Sequence, residues 1–131
     1  MAEPFIFIGT HRVREGKLEE FQRWFADFIA GIVEPSEPRL LSFQAYVDHA
    51  ANEVTVVQVH PDAESMMYHM SLIPDHVGAA YSEYLEREST WQIYGIPRAG
   101  VLEMVQQLAG DATKSLTVQE PFAGFTRLPD L

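Results

Sequence analysis

Residues 4–13, PFIFIGTHRV, decide how the rest of the chain is read. Successive side chains of a strand point to opposite faces, so Phe5, Phe7, Gly9 and His11 share one face. Ile6, Ile8, Thr10 and Arg12 share the other. Both faces begin apolar and end polar. A strand that is apolar on both faces is covered on both sides.

Residues 15–33 predict a helix. Leu18, Phe21, Phe25, Phe28, Ile29 and Ile32 recur at spacings of three and four, which makes one broad apolar stripe. Pro35 and Pro38 end it. Strands follow over 40–48 and 54–60, joined by the hairpin-length link His49-Ala50-Ala51-Asn52. Pro61-Asp62 punctuates the chain, with Asp62 placed as an N-cap. The next helical region carries Met66, Met67 and Met70, breaks near Pro74 and runs on to about Glu88. Residues 90–96 predict a fourth strand with Trp91, Ile93 and Gly95 on one face. Residues 98–109 predict a third helix through Val101, Leu102 and Val105, and the tail holds one strand-like triplet, Leu116-Thr117-Val118.

The order β-α-β-β-α-β is the split βαβ order of the ferredoxin-like fold. It predicts an α+β domain with a four-stranded antiparallel sheet, two helices on one face, and a C-terminal helix and tail. The whole of 1–131 makes a single domain, with a core at about 4–96 and an extension at about 97–131. Two helices cover one sheet face only. The second face would be a larger apolar patch than a monomer usually shows, so a homodimer through the sheet face, with twofold symmetry, is expected. The competing arrangement lays the third helix and tail over part of that face within one chain.

Composition narrows the function classes. With no cysteine, disulfides, thiolate zinc sites, iron–sulfur clusters and a cysteine nucleophile are excluded. A formal net charge of −10 repels phosphate backbones and anionic lipid, so neither nucleic acid nor membrane is an expected partner. The longest apolar runs fall far short of a membrane span. No basic region followed by an apolar one opens the sequence. A cytoplasmic location is the expectation.

The turn Val13-Arg14-Glu15-Gly16-Lys17 enters a Phe-rich helix. The segment Val59-His60-Pro61-Asp62-Ala63-Glu64-Ser65 enters a helix containing His69. Together with the element order, over roughly residues 4–96, they resemble the antibiotic biosynthesis monooxygenase-like family of the dimeric α+β barrel superfamily. The resemblance implies a pocket between helices and sheet. Some members resembling this chain are cofactor-free oxygenases turning anthrone-like or quinol-like aromatics into quinones, others degrade haem, and many have no known reaction. Beside the oxygenase stand two rival readings, a dimer that holds a small ligand without chemistry and a structural protein whose pocket is filled by Met and Phe. Haem-degrading members use an Asn on the first strand and a Trp from the second helical region. This sequence has His11 and His69 near those positions, and it has His60 where the family often has Trp after the third strand. Residues after 96 match nothing in the resemblance.

Histidine is the natural base near neutral pH, which makes His11, His69 and His76 the catalytic candidates. Phe7, Met66, Met70, Tyr81 and Trp91 are the substrate-binding candidates, since an apolar, aromatic lining suits a flat ligand. The plainer alternative leaves the histidines half-solvated at element ends and the methionines as core filler. His60, His69 and His76 match no metal-binding spacing, and Pro74 breaks the helical relation of the last two. No metal and no cofactor are expected. A small aromatic or apolar ligand is.

Overall fold

The computed structural model describes residues 4–98, 100–109 and 113–127. Its strands are β1 (Phe5–Val13), β2 (Ser42–Asp48), β3 (Glu53–His60), β4 (Leu85–Tyr94) and β5 (Thr113–Gln119). Its helices are α1 (Leu18–Phe28), α2 (Glu34–Ser36), α3 (Ala63–Leu72), α4 (Pro74–Glu83) and α5 (Val101–Ala109). A five-residue π-helical turn, Ile29–Val33, joins α1 to α2. The architecture is the α+β, ferredoxin-like one expected, with one addition to the sheet. The strand order is β2-β3-β1-β4-β5, antiparallel except that β5 runs parallel to β4.

The four-stranded, all-antiparallel sheet expected from the sequence is therefore corrected. Residues after 96 form a crossover helix and a fifth strand, which sets Leu116 beside Trp91 and Val118 beside Ile93. A parallel neighbour needs such a crossover, and α5 provides it while packing against α3. The fourth strand also begins earlier than expected. Leu85 is buried opposite Val13, and Glu86, Arg87 and Glu88 are exposed. A register shift between His11 and Val13 absorbs the irregularity. Three successive charged residues break the alternation that marks a strand, so the segment reads as the end of a helix.

Local chemistry explains the remaining elements. The Asp62 carboxylate accepts the Ser65 backbone N–H at 2.9 Å, the N-cap expected. Ile73 separates α3 from α4, with Pro74 in the first turn of the latter. Asn52 turns the β2–β3 hairpin at φ +56°, a conformation asparagine tolerates. Gly95 ends β4 at φ +147°. A Cβ there would lie 3.1 Å from the Pro4 carbonyl oxygen and 3.3 Å from the Phe5 backbone. Gly95→Ala is expected to destabilise the fold by about 1–3 kcal/mol, read as a lower urea midpoint at unchanged m-value.

The helices lie on one face of the sheet. On that side Phe5, Phe7, Val54, Val56, Trp91 and Ile93 are buried. On the opposite side Ile6, Ile8, Val57 and Val59 are only half-buried. No helix among the described residues is long and apolar enough to cross a membrane.

Candidate active site

Between sheet and helices lies a cavity of about 90 Å³. β1 gives its floor Phe7, Gly9 and His11, β4 adds Trp91, and β3 adds Val56 and Gln58. The roof is Phe21, Phe25 and Phe28 from α1, with Met66, His69 and Met70 from α3 and His76 and Tyr81 from α4. Val105 of α5 closes one side. All eight sequence candidates (Phe7, His11, Met66, His69, Met70, His76, Tyr81 and Trp91) therefore border one space. Its volume is below the roughly 150 Å³ that admits benzene in an apolar engineered cavity. Even a one-ring ligand therefore requires the flexible Met66 and Met70 side chains to move.

Polar groups sit at two poles of this apolar space. At the first, His11 Nδ1 lies 2.8 Å from Ser89 Oγ, and the Tyr81 hydroxyl lies 2.6 Å from the same oxygen. β1 and β4 bring His11 and Ser89 opposite each other. Burial pushes the His11 pKa down to about 4. Burial raises that of Tyr81, against the opposing pull of Ser89 and of the nearby Trp91 N–H. The Trp91 N–H is buried and, among the described residues, lacks a hydrogen bond of acceptable geometry.

At the second pole His69 Nδ1 meets Glu37 Oε2 at 2.6 Å, and both side chains are almost wholly buried, 1 and 2 % exposed. His60 lies behind, its Nδ1 2.7 Å from Ser65 Oγ and its Nε2 3.0 Å from Gln58 Oε1. Its ring centroid is 5.9 Å from that of His69. Burial, reinforced by His69, pushes the His60 pKa down to about 3. Glu37 also borders an outer cleft of about 370 Å³ with Arg39, Ser65 and Tyr68. The dyad carboxylate thus separates the inner cavity from the outside.

His76 belongs to neither pole. Its ring stacks between Trp24 at 3.9 Å and Phe28 at 3.3 Å, its Nε2 is buried without a partner among the described residues, and burial pushes its pKa down to about 4. The described residues hold no group of three His, Cys, Asp or Glu placed to share a metal ion.

Glu37 and Ser89 are the site residues that the sequence reading missed. Glu37 sits between Pro35 and Pro38, where the prolines draw attention as a helix stop. A carboxylate in that setting, beside a helix bearing a histidine, was the available signal. Ser89 was hidden by the misread start of β4.

Three histidines held neutral, the buried His60 and the half-buried His11 and His76, have a consequence for stability. Their folded-state pKa values lie below the unfolded value near 6.5, so the unfolded chain binds more protons in acid. The stability from keeping these rings neutral is full above pH 6.5. It falls between pH 6.5 and about 4 for His11 and His76, and down to about 3 for His60. Urea midpoints measured from pH 7.5 to 4 are expected to fall, and His60→Gln is expected to flatten that slope.

No family model and no curated protein matches this chain. Solved structures do. MupZ from Pseudomonas fluorescens superposes with a TM-score of 0.66 at 18 % identity, covering 95 % of this chain and 91 % of its own. That coverage reaches well past residue 96, into the segment that the sequence resemblance left unmatched. A conserved protein from Methanosarcina mazei Go1 gives 0.60 at 18 %, over 71 and 92 %. An antibiotic biosynthesis monooxygenase gives 0.57 at 11 %, over 68 and 94 %. The chain has the fold of the antibiotic biosynthesis monooxygenase-like proteins, and identities this low speak to fold alone.

Proposed function

We propose that this protein is a cofactor-independent monooxygenase of the antibiotic biosynthesis monooxygenase type, acting on a small aromatic substrate of the anthrone or quinol class. The observation that carries this reading is His69 on the wall of a mostly apolar cavity, held from behind by the buried Glu37. A base held and oriented by a carboxylate is the arrangement proton abstraction needs. With Nδ1 engaged by Glu37, Nε2 is the atom left to take a substrate proton.

For an anthrone-like methylene the balance is R₂CH₂ + O₂ → R₂C=O + H₂O. His69 removes one C–H proton, leaving a carbanion delocalised into the ring system. Dioxygen accepts its electrons as the C–O bond forms, and the returned proton gives a hydroperoxide. Loss of the second C–H proton then cleaves the O–O bond, leaving one oxygen in the ketone and one in water. The apolar walls keep water from the carbanion. The outer cleft beside Glu37 gives the dyad proton exchange with solvent.

The working form in this proposal is a homodimer through the open sheet face. Ile8 and Val57 are directly opposed near the middle of that face, half-buried and on the side away from the described helices, and a twofold-related copy would exclude water from both. Ile8→Asp is expected to turn a dimer into a monomer in sedimentation. An unchanged dimer would place the contact elsewhere.

The function test is oxygen uptake by metal-free protein over a panel of anthrones and quinols. Protein-dependent uptake that is lost in His69→Ala supports the oxygenase. Uptake at the autoxidation background, with binding retained, moves the assignment to a dimeric ligand-binding protein.

A further inference from the structure

The oxygenase reading needs a base and leaves open how a substrate is oriented. We infer that Gly9, His11 and Trp91 form a two-donor notch for a carbonyl or phenolate oxygen, so that the ligand is an aromatic ketone or its enolate. This inference deepens the oxygenase reading by naming the group on the substrate that is recognised.

The notch is built from β1 and β4. Gly9 and Trp91 are directly opposed across the two strands. A Cβ on Gly9 would lie 3.0 Å from His11 Nε2 and 3.7 Å from the Phe7 ring. The missing side chain therefore lets the His11 imidazole lie close over Gly9, with Nε2 next to the backbone there, while Trp91 stands on the paired strand at the same row. Trp91 is 4 % exposed, lines the cavity, and carries a buried N–H without a hydrogen bond among the described residues. Such a donor is costly to bury unless something accepts from it.

The relative acidities in the neighbouring network supply the second donor in this proposal. A phenol is a stronger acid than an alcohol, so Tyr81 donates to Ser89 across 2.6 Å. Ser89 then donates to His11 Nδ1 across 2.8 Å. That assignment leaves the proton of a neutral imidazole on Nε2, over Gly9. Two N–H donors, from His11 and Trp91, thus line the same cavity, and the acceptor nearest the indole, the Tyr81 hydroxyl, does not meet it in hydrogen-bond geometry.

The position of the notch suits the chemistry. The Gly9 row and the Phe5–His60 row are four residues apart on β1, about 13 Å at strand rise, and His69 lies beside His60. A ligand whose oxygen rests over Gly9 points its far edge toward the Glu37–His69 pair. Donation to a carbonyl stabilises the enolate that forms when the base removes a conjugated C–H proton. The oxygen and the acidic C–H then sit on opposite sides of one conjugated ring system.

Two probes of nearly equal shape test this without turnover. Acetophenone has the acceptor, and α-methylstyrene replaces its oxygen by CH₂. Calorimetric affinities for both are measured on the full-length protein and on Trp91→Phe and Gly9→Ala. The ratio of the two affinities is expected to fall about tenfold in each variant, the size of one lost hydrogen bond. Trp91→Phe removes a donor, and Gly9→Ala fills the notch; if one variant fails to fold, the other still decides. A ratio unchanged in a folded variant overturns the notch, as does binding of neither probe by the unaltered protein at millimolar concentration. Oxygen uptake by a protein with an unaltered ratio would leave the oxygenase standing and remove the notch. A changed ratio without uptake would do the reverse.

Discussion

His69→Ala is expected to lower protein-dependent oxygen uptake by about 10²–10⁴-fold, the range for loss of a positioned general base. The partner residue gives the sharper experiment. Glu37→Gln keeps the shape of the side chain but removes the charge that orients and steadies the imidazolium. With substrate binding untouched, kcat should fall about 10²-fold while KM stays within about twofold. A purely structural Glu37 would instead show a lower melting temperature and comparable losses in both constants. His76 provides the contrast. It is held between the rings of Trp24 and Phe28 and has no orienting carboxylate, so His76→Ala should change uptake by less than about tenfold. Uptake that survives His69→Ala and is lost in His11→Ala would move the base to the first pole.

The second large effect is on stability. Phe21 is 3 % exposed, stacks on Phe25 at 5.3 Å and meets the edge of Tyr84 at 5.8 Å. Phe21→Ala should cost about 3–5 kcal/mol, a large share of the roughly 5–15 kcal/mol of a typical domain. The same side chain roofs the cavity, so its loss also enlarges the space for a ligand. Melting curves with and without a saturating bicyclic aromatic separate the two effects. The variant should melt well below the parent alone and recover more on adding ligand. A variant that melts lower with no added response would show that the helices collapse into the gap.

Much of this was legible in the sequence because the periodicities are strong. The alternation in PFIFIGTHRV, the Phe-rich stripe of α1 and the β-branched run of β3 each follow from one rule of spacing; the two strands form where that rule puts them, and the helix expected over 15–33 is α-helical from Leu18 to Phe28. The cavity-lining set was legible for the same reason, since the residues that face the helices from β1 and the sheet from α3 must meet. The parallel β4–β5 pairing was not, because strand direction leaves no mark on a seven-residue segment. The π-turn at Ile29–Val33 was also hidden, because an apolar run such as Phe28-Ile29-Ala30-Gly31-Ile32-Val33 fits an α-helix equally well. It is that turn and α2 which deliver Glu37 to His69. Proline spacing explains why the chain stops being helical there, while the pairing across 32 residues depends on tertiary packing.

The placement of β1 at the centre of the sheet has a consequence for synthesis. β1 leaves the ribosome before both of its neighbours, β3 and β4, which end at His60 and Tyr94. At about 5–20 residues per second, Phe5-Ile6-Phe7-Ile8 waits several seconds for one edge to be paired and longer for the other. During that wait it is a short, uncharged, strongly β-prone segment, the kind that pairs with copies of itself. Thr10, His11 and Arg12 directly after it act as gatekeepers, a polar brake on nascent-chain aggregation until the middle of the sheet is claimed.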